Sequence, residues 1–265
     1  MNSSSEKVAR FRALHDRIFV IGNPWDAGSA KVLQSLGYRA LATSSGASAG
    51  VYGRRDGHIT RDESLAHIRA IVAAVEIPVA ADLEKCFGDA PEEVARTIRL
   101  AAETGLAGGS VEDATGSKEA PIFDFALAVE RVHAAAESSS FVLTARCENF
   151  LRGNPDLDDT IRRLQAYEKA GADVLMAPGL PDLDAVRAVC RALKKPFNFM
   201  AGIRGKSFSV AELEAAGVKR VSTATSFYRA AMSGLVEAAR EAMEQGTFTY
   251  LDRTMTTPEL NNCLK

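Results

Sequence analysis

The chain has 265 residues, 46% of them hydrophobic and 25% charged, with 32 basic against 34 acidic side chains and a formal charge of −2. That length supports a large core without disulfide staples, and the balance excludes a disordered chain and any global basic field for nucleic acid or an anionic membrane. Four scattered cysteines (Cys86, Cys147, Cys190, Cys263) lack CxxC or metal-finger spacing, which fits reduced thiols in a cytoplasmic protein.

From the N-terminus, residues 1–14 are Ser-rich and then basic, without the apolar stretch of a signal peptide, and no run of about 18 apolar residues follows. Eight short β-rich runs then alternate with stretches of helical period: 18–22, 40–44, 78–82, 109–112, 141–145, 174–177, 196–200 and 220–224. Asp26, Asp89 with Pro91, and Asp158 open helices, while Gly37, Gly105, Gly171 and Gly217 close them before the next strand. No linker interrupts the series and no GxGxxG follows the first strand. Alternation of this kind predicts right-handed βαβ units and a single (β/α)₈ barrel over 1–265, rather than a doubly wound sheet. Residues 226–265 form a last helix and tail whose apolar face, with Met232, Leu235, Val236 and Met243, needs a cover.

In a barrel the chemistry sits at the C-terminal strand ends. Those ends carry Asn23, Ser44, Ser45, Asp82, Glu84, Glu112, Asp113, Arg146, Glu148 and Asn149 in the first five units and only small or apolar residues afterwards. Asp82 and Glu84, two apart, are expected on one strand face, with Glu112 converging from the next strand. Three carboxylates around one cavity repel unless a cation or protons are present, and all-oxygen ligation suits Mg²⁺ or Mn²⁺. Arg146 beside them can grip a carboxylate or pair with Glu112 or Glu148, and the turn at Ser45, Gly46 and Ala47 offers amides to an anion. Trp25 and Tyr52 are candidate pocket walls, Cys86 a candidate thiol, and His58 a candidate proton-transfer group.

The segments TSSGASAG, RRDGHITRDE, PVAADLEKCFG, GGSVEDATG, TARCENFLRG and GADVLMAPGLPD stand in an order and spacing that resembles the isocitrate lyase / phosphoenolpyruvate mutase superfamily over about 24–202, nearest its small carboxyvinyl-carboxyphosphonate phosphorylmutase-like members. The resemblance implies a (β/α)₈ barrel whose last helix is exchanged between subunits of a homotetramer, a dimer of helix-swapped dimers. It implies metal-supporting carboxylates at Asp56, Asp82, Glu84 and Glu112, with Asp82 the direct Mg²⁺ ligand, and substrate contacts at Ser45, Gly46, Ala47, Arg146 and Asp82. Catalytic roles would then fall on Ser45, Glu112 and Arg146, acting on a small 2-oxo or 2-hydroxy carboxylate. Nucleic acid and membrane are not expected as partners.

Departures from the family pattern narrow the activity. The Lys-Lys/Arg-Cys-Gly-His loop of isocitrate lyases is replaced here by ATGSKEAPIFDF, without cysteine, so a true isocitrate lyase is not expected. Thr43 and Pro178 stand where the mutase has an aromatic residue and a histidine. The expected function is Mg²⁺-dependent C–C cleavage or decarboxylation through a pyruvate-like enolate. The alternatives are P–C chemistry of the phosphonopyruvate type and a catalytically silent 2-oxo acid binder.

Overall fold

The computed structural model describes residues 4–265. Eight parallel strands, β1 (Phe19–Ile21), β2 (Leu41–Ala42), β3 (Val79–Asp82), β4 (Gly108–Glu112), β5 (Val142–Arg146), β6 (Val174–Met176), β7 (Phe197–Met200) and β8 (Arg220–Ser222), form one sheet. Its order, β1-β8-β7-β6-β5-β4-β3-β2, is sequence order read around a ring, and a parallel bridge between Gly22 and Leu41 brings the two edge strands together. The predicted (β/α)₈ barrel is therefore observed. Each predicted run overlaps its strand, although β5 runs one residue further and so ends on Arg146.

The helices are α1 (Ser4–Ala13), α2 (Ala27–Ser35), α3 (Ser45–Val51), α4 (Arg61–Ala74), α5 (Pro91–Ala102), α6 (Phe125–Ser138), α7 (Leu157–Lys169), α8 (Leu183–Ala192), α9 (Val210–Ala215), α10 (Ser226–Arg240) and α11 (Thr257–Cys263). Asp26 caps α2 as predicted, its Oδ1 accepting from the Ser29 amide at 2.7 Å. Two predicted starts shift. Asp156 rather than Asp158 caps α7, accepting from the Asp159 amide at 2.9 Å, and Ala90 precedes Pro91 at the start of α5. Gly37, Gly105, Gly171 and Gly217 all adopt left-handed backbone (φ +88°, +86°, +111° and +99°), as helix-to-strand turns require.

Helix α1 plugs the N-terminal end of the barrel, burying Phe11 against Phe19, Ile21, Val142 and Val174. Its seat depends on Gly108, where a Cβ would lie 2.5 Å from the Phe11 ring. The plug closes the end opposite the predicted site. On the outside, α10 has no buried residue, and Leu235, Val236 and Met243 are exposed, as are Phe248, Leu251 and Met255 in the tail. Among the described residues no helix is long and apolar enough to cross a membrane.

Candidate active site

The C-terminal strand ends open into a cavity of about 760 Å³ whose lining includes Ser45, Asp56, Asp82, Glu84, Glu112 and Arg146. Asp82 closes β3, Glu112 closes β4 and Arg146 closes β5, so neighbouring strands in register deliver the three side chains to one rim; Glu112 and Arg146 are paired positions. Arg146 is the hub. Its Nη1 donates to Asp82 Oδ1 at 3.0 Å, its Nε and Nη2 donate to Glu148 Oε1 at 3.1 and 2.8 Å, and Nη2 lies 3.3 Å from Glu112 Oε2.

This arrangement sets the protonation of the rim. Burial alone would push the Asp82 carboxyl up, but Arg146 and the amides of Glu84 and Ser45 outweigh it and leave Asp82 below its ordinary value. Glu112 is raised well above the usual carboxylate range by burial, which Arg146 only partly offsets and Glu148 and Asp82 reinforce. Glu84 rises to about 7 through burial and the charges of Asp82 and Asp56. Burial would lower Arg146, yet Glu148, Asp82 and Glu112 hold it well above its usual value, so it stays a cation.

Glu84 reaches the rim by a route the strand alternation did not predict. Strand β3 stops at Asp82, and Glu84 sits in a turn with left-handed backbone (φ +51°), followed by Cys86 (φ +62°) and Phe87 (φ +57°). Left-handed non-glycine residues each cost on the order of 1 kcal/mol, so the turn needs external support. Arg131 on α6 supplies it, donating to the carbonyls of Lys85 (2.7 Å), Gly88 (2.8 Å) and Asp89 (2.5 Å), and Thr97 Oγ1 donates to the Cys86 carbonyl at 2.7 Å. Neither residue was singled out from the sequence. The available signal was an arginine in helical register with the apolar residues Ala128, Val132 and Ala135.

The remaining predicted residues fall into place unevenly. The Ser45 amide donates to Asp82 Oδ2 at 3.3 Å, which ties the start of α3 to the rim. Gly46 faces the Asp56 carboxylate, where a Cβ would lie 3.3 Å from Oδ2, while Ala47 is fully buried one step further along the helix. His58 lines the cavity in the same loop as Asp56. Trp25 packs on Tyr228 with ring centroids 5.7 Å apart, and neither Trp25 nor Tyr52 lines the cavity. Cys86 is fully buried, and burial pushes its thiol to about 12, which leaves it chemically inert. Behind the rim, Asp113 accepts from Tyr167 Oη at 2.6 Å and from the Glu148 amide at 2.8 Å, fixing the loop that carries Glu148.

The donor set suits a hard cation that keeps most of its water. Among the described residues no three His, Cys, Asp or Glu side chains form a ready ligand cage. Mg²⁺ does not require one, since it commonly takes one or two carboxylates and retains several waters. Two features favour a cation here: Glu84 is raised by burial and then by the neighbouring charges of Asp82 and Asp56, and among the described residues Glu148 Oε2 is buried without a hydrogen-bond partner, facing only the Arg152 Nε at 3.8 Å.

Comparison with known proteins agrees with the fold. The crystal structure of a lyase/mutase candidate from Burkholderia cenocepacia J2315 is 49% identical, with a TM-score of 0.95 over 98% of this chain and 95% of that one. Protein Rv1998c of Mycobacterium tuberculosis (strain ATCC 25618 / H37Rv), uncharacterised, is 32% identical over 84% of this chain and 83% of its own length. The 2-methylisocitrate lyase of Escherichia coli (strain K12) is 29% identical over 88% of this chain and 82% of its own. The profile of phosphoenolpyruvate phosphomutase matches residues 11–243, and the chain accordingly belongs to that family, within the isocitrate lyase / phosphoenolpyruvate mutase superfamily.

Proposed function

We propose that this chain is a Mg²⁺-dependent lyase or decarboxylase that cleaves a C–C bond in a small 2-oxo or 2-hydroxy carboxylic acid through a pyruvate-like enolate. The observation that carries the reading is the convergence of Asp82 and Glu112 on Arg146 at the rim of one cavity that Glu84 and Asp56 also line. The similarity to a 2-methylisocitrate lyase supports it. Asp82 and Glu84 would hold the ion, with Asp56 and Glu112 acting through its waters; Mn²⁺ meets the same donor set. When bound, the ion supplies Lewis-acid stabilisation of an enolate oxygen.

The chain's own residues do the rest. Arg146 keeps Asp82 ionised and holds Asp82, Glu112 and Glu148 in position, and it is the nearest fixed cation to a substrate carboxylate entering beside Asp82. Ser45 and Gly46 form the wall between Asp82 and Asp56. The cavity's enclosure inside the barrel limits water around a developing enolate, which strengthens these electrostatic contacts.

A second reading, P–C cleavage of a phosphonate, is favoured by the family profile. Phosphate or phosphoenolpyruvate formation from phosphonopyruvate, measured beside pyruvate release from oxaloacetate, separates the two; the first reading expects pyruvate from oxaloacetate and neither phosphate nor phosphoenolpyruvate. The four free cysteines agree with a cytoplasmic setting. The uncovered apolar face of α10 supports a homotetramer in which a second copy covers that helix. Light scattering on the intact chain is expected to give four copies, and a monomer at micromolar concentration would exclude this assembly.

A further inference from the structure

The interior of a (β/α)₈ barrel is ordinarily filled by layers of branched side chains. Here small or hydroxyl-bearing residues, among them Ala80, Gly109, Ser110 and Thr144, line the space below the rim, so the cavity continues into the barrel. At its inner end lies Arg220, the first residue of β8 and only 5% exposed. The acids lining the cavity, Asp56, Asp82, Glu84, Glu112 and Glu148, all stand at strand ends or in the loops beyond them. None pairs with Arg220. Burial pulls its pKa down to about 9, and among the described residues no carboxylate counters that fall.

The hydrogen bonds around Arg220 run in one direction. Its Nε donates to Asn198 Oδ1 at 2.8 Å and its Nη2 to Thr144 Oγ1 at 2.9 Å, while Asn198 Nδ2 donates to Ser222 Oγ at 3.0 Å. Its Nη1 faces His15 Nε2 at 3.4 Å, and the other ring nitrogen of His15, Nδ1, meets the Phe11 carbonyl at 3.0 Å. His15 is therefore a neutral acceptor with its hydrogen on Nδ1, held uncharged by burial and by Arg220, which bring its pKa to about 3. Every acceptor of the cluster is thus engaged from Arg220 or Asn198. A guanidinium carries five N–H groups, so one on each Nη remains, together with the hydroxyl hydrogens of Thr144 and Ser222, without an acceptor among the described residues. A buried cation surrounded by unused donors lacks both a counter-charge and acceptors, and a single oxyanion supplies both.

We propose that the inner end of the cavity, at Arg220, Asn198, Thr144 and Ser222, is an anion subsite separate from the carboxylate rim, with free donors for one carboxylate group. Its occupant is either the far carboxylate of a substrate whose reacting end lies at the rim or a free monovalent oxyanion. The subsite does not depend on which reaction the rim performs.

The test is calorimetric titration of the intact chain with formate, in chloride-free buffer with Mg²⁺ and saturating oxalate to occupy the rim. One formate is expected to bind per chain, with Kd raised at least about tenfold in Arg220→Gln and about threefold in Ser222→Ala. Thr144→Val keeps the charge and removes one donor; with Ser222→Ala it serves as the test if Arg220→Gln does not fold. A dicarboxylate such as succinate that binds at least about tenfold tighter than butyrate, with the advantage lost in Arg220→Gln, assigns the subsite to the substrate's far end. Arg220-dependent formate binding without that advantage assigns it to a free anion. No formate binding beside oxalate, or equal affinity in the wild type, Arg220→Gln and Ser222→Ala, would overturn the proposal.

Discussion

Asp82→Asn is expected to weaken Mn²⁺ binding by at least about 100-fold and to lower kcat/KM by about 10³-fold or more, equivalent to roughly 4 kcal/mol of transition-state stabilisation. Asp82 is the one rim carboxylate held below its ordinary pKa, and it accepts from Arg146 Nη1 at 3.0 Å, the Glu84 amide at 3.1 Å and the Ser45 amide at 3.3 Å. Asparagine keeps the shape and one acceptor oxygen but removes the charge. Thermal stability should therefore fall less than in Arg146→Ala, because Arg146 keeps Glu112 and Glu148, while metal binding, read by titration calorimetry or by Mn²⁺ spin resonance, is lost. Wild-type Mn²⁺ affinity in this variant would remove Asp82 from the metal site.

Arg146→Ala should damage stability as well as activity. Three carboxylates, Asp82, Glu112 and Glu148, lose their shared cation, and removing one partner of a buried ionic cluster typically costs about 3–5 kcal/mol. The loss has a pH signature. Without Arg146 the folded-state pKa of Asp82 rises above its unfolded value and that of Glu112, already raised, rises further, so the folded chain binds more protons, and stability falls as pH rises through the raised values. Denaturant melts at pH 5 and pH 8 are expected to show a larger deficit at pH 8. Activity should fall mainly through KM for the carboxylate substrate, with Arg146→Lys partly restoring stability but not the bidentate geometry. A deficit independent of pH, or none at all, would mean that the cluster is not held by Arg146 charge.

The fold was legible because each strand is a short β-rich run and each crossover carries its own start and stop. Gly37, Gly105, Gly171 and Gly217 mark those turns and adopt the left-handed backbone expected of them. Asp82, Glu112 and Arg146 were legible for a related reason: each is the polar residue that ends such a run, and parallel register places such ends side by side. Helix α3 was not, since SGASAGV has no apolar stripe to reveal a helical period. Glu84 was found by the wrong geometry, because alternation along β3 cannot anticipate a left-handed turn held by Arg131 from α6. The saturation of Arg146 by three acids depends on side-chain distances across three segments of chain. The same holds for Arg220, which in sequence is only the first residue of a strand and in the barrel is a buried cation with no carboxylate partner among the described residues.

Metal-dependent C–C cleavage at the Asp82–Arg146 rim is tested by following pyruvate or glyoxylate release from a panel of 2-oxo and 2-hydroxy acids with Mg²⁺, with EDTA, and with Mg²⁺ restored. Release that requires Mg²⁺, stops in EDTA and returns on adding the ion is the predicted result. Undiminished release in EDTA, or phosphate release from phosphonopyruvate with no C–C cleavage on any acid of the panel, would contradict it.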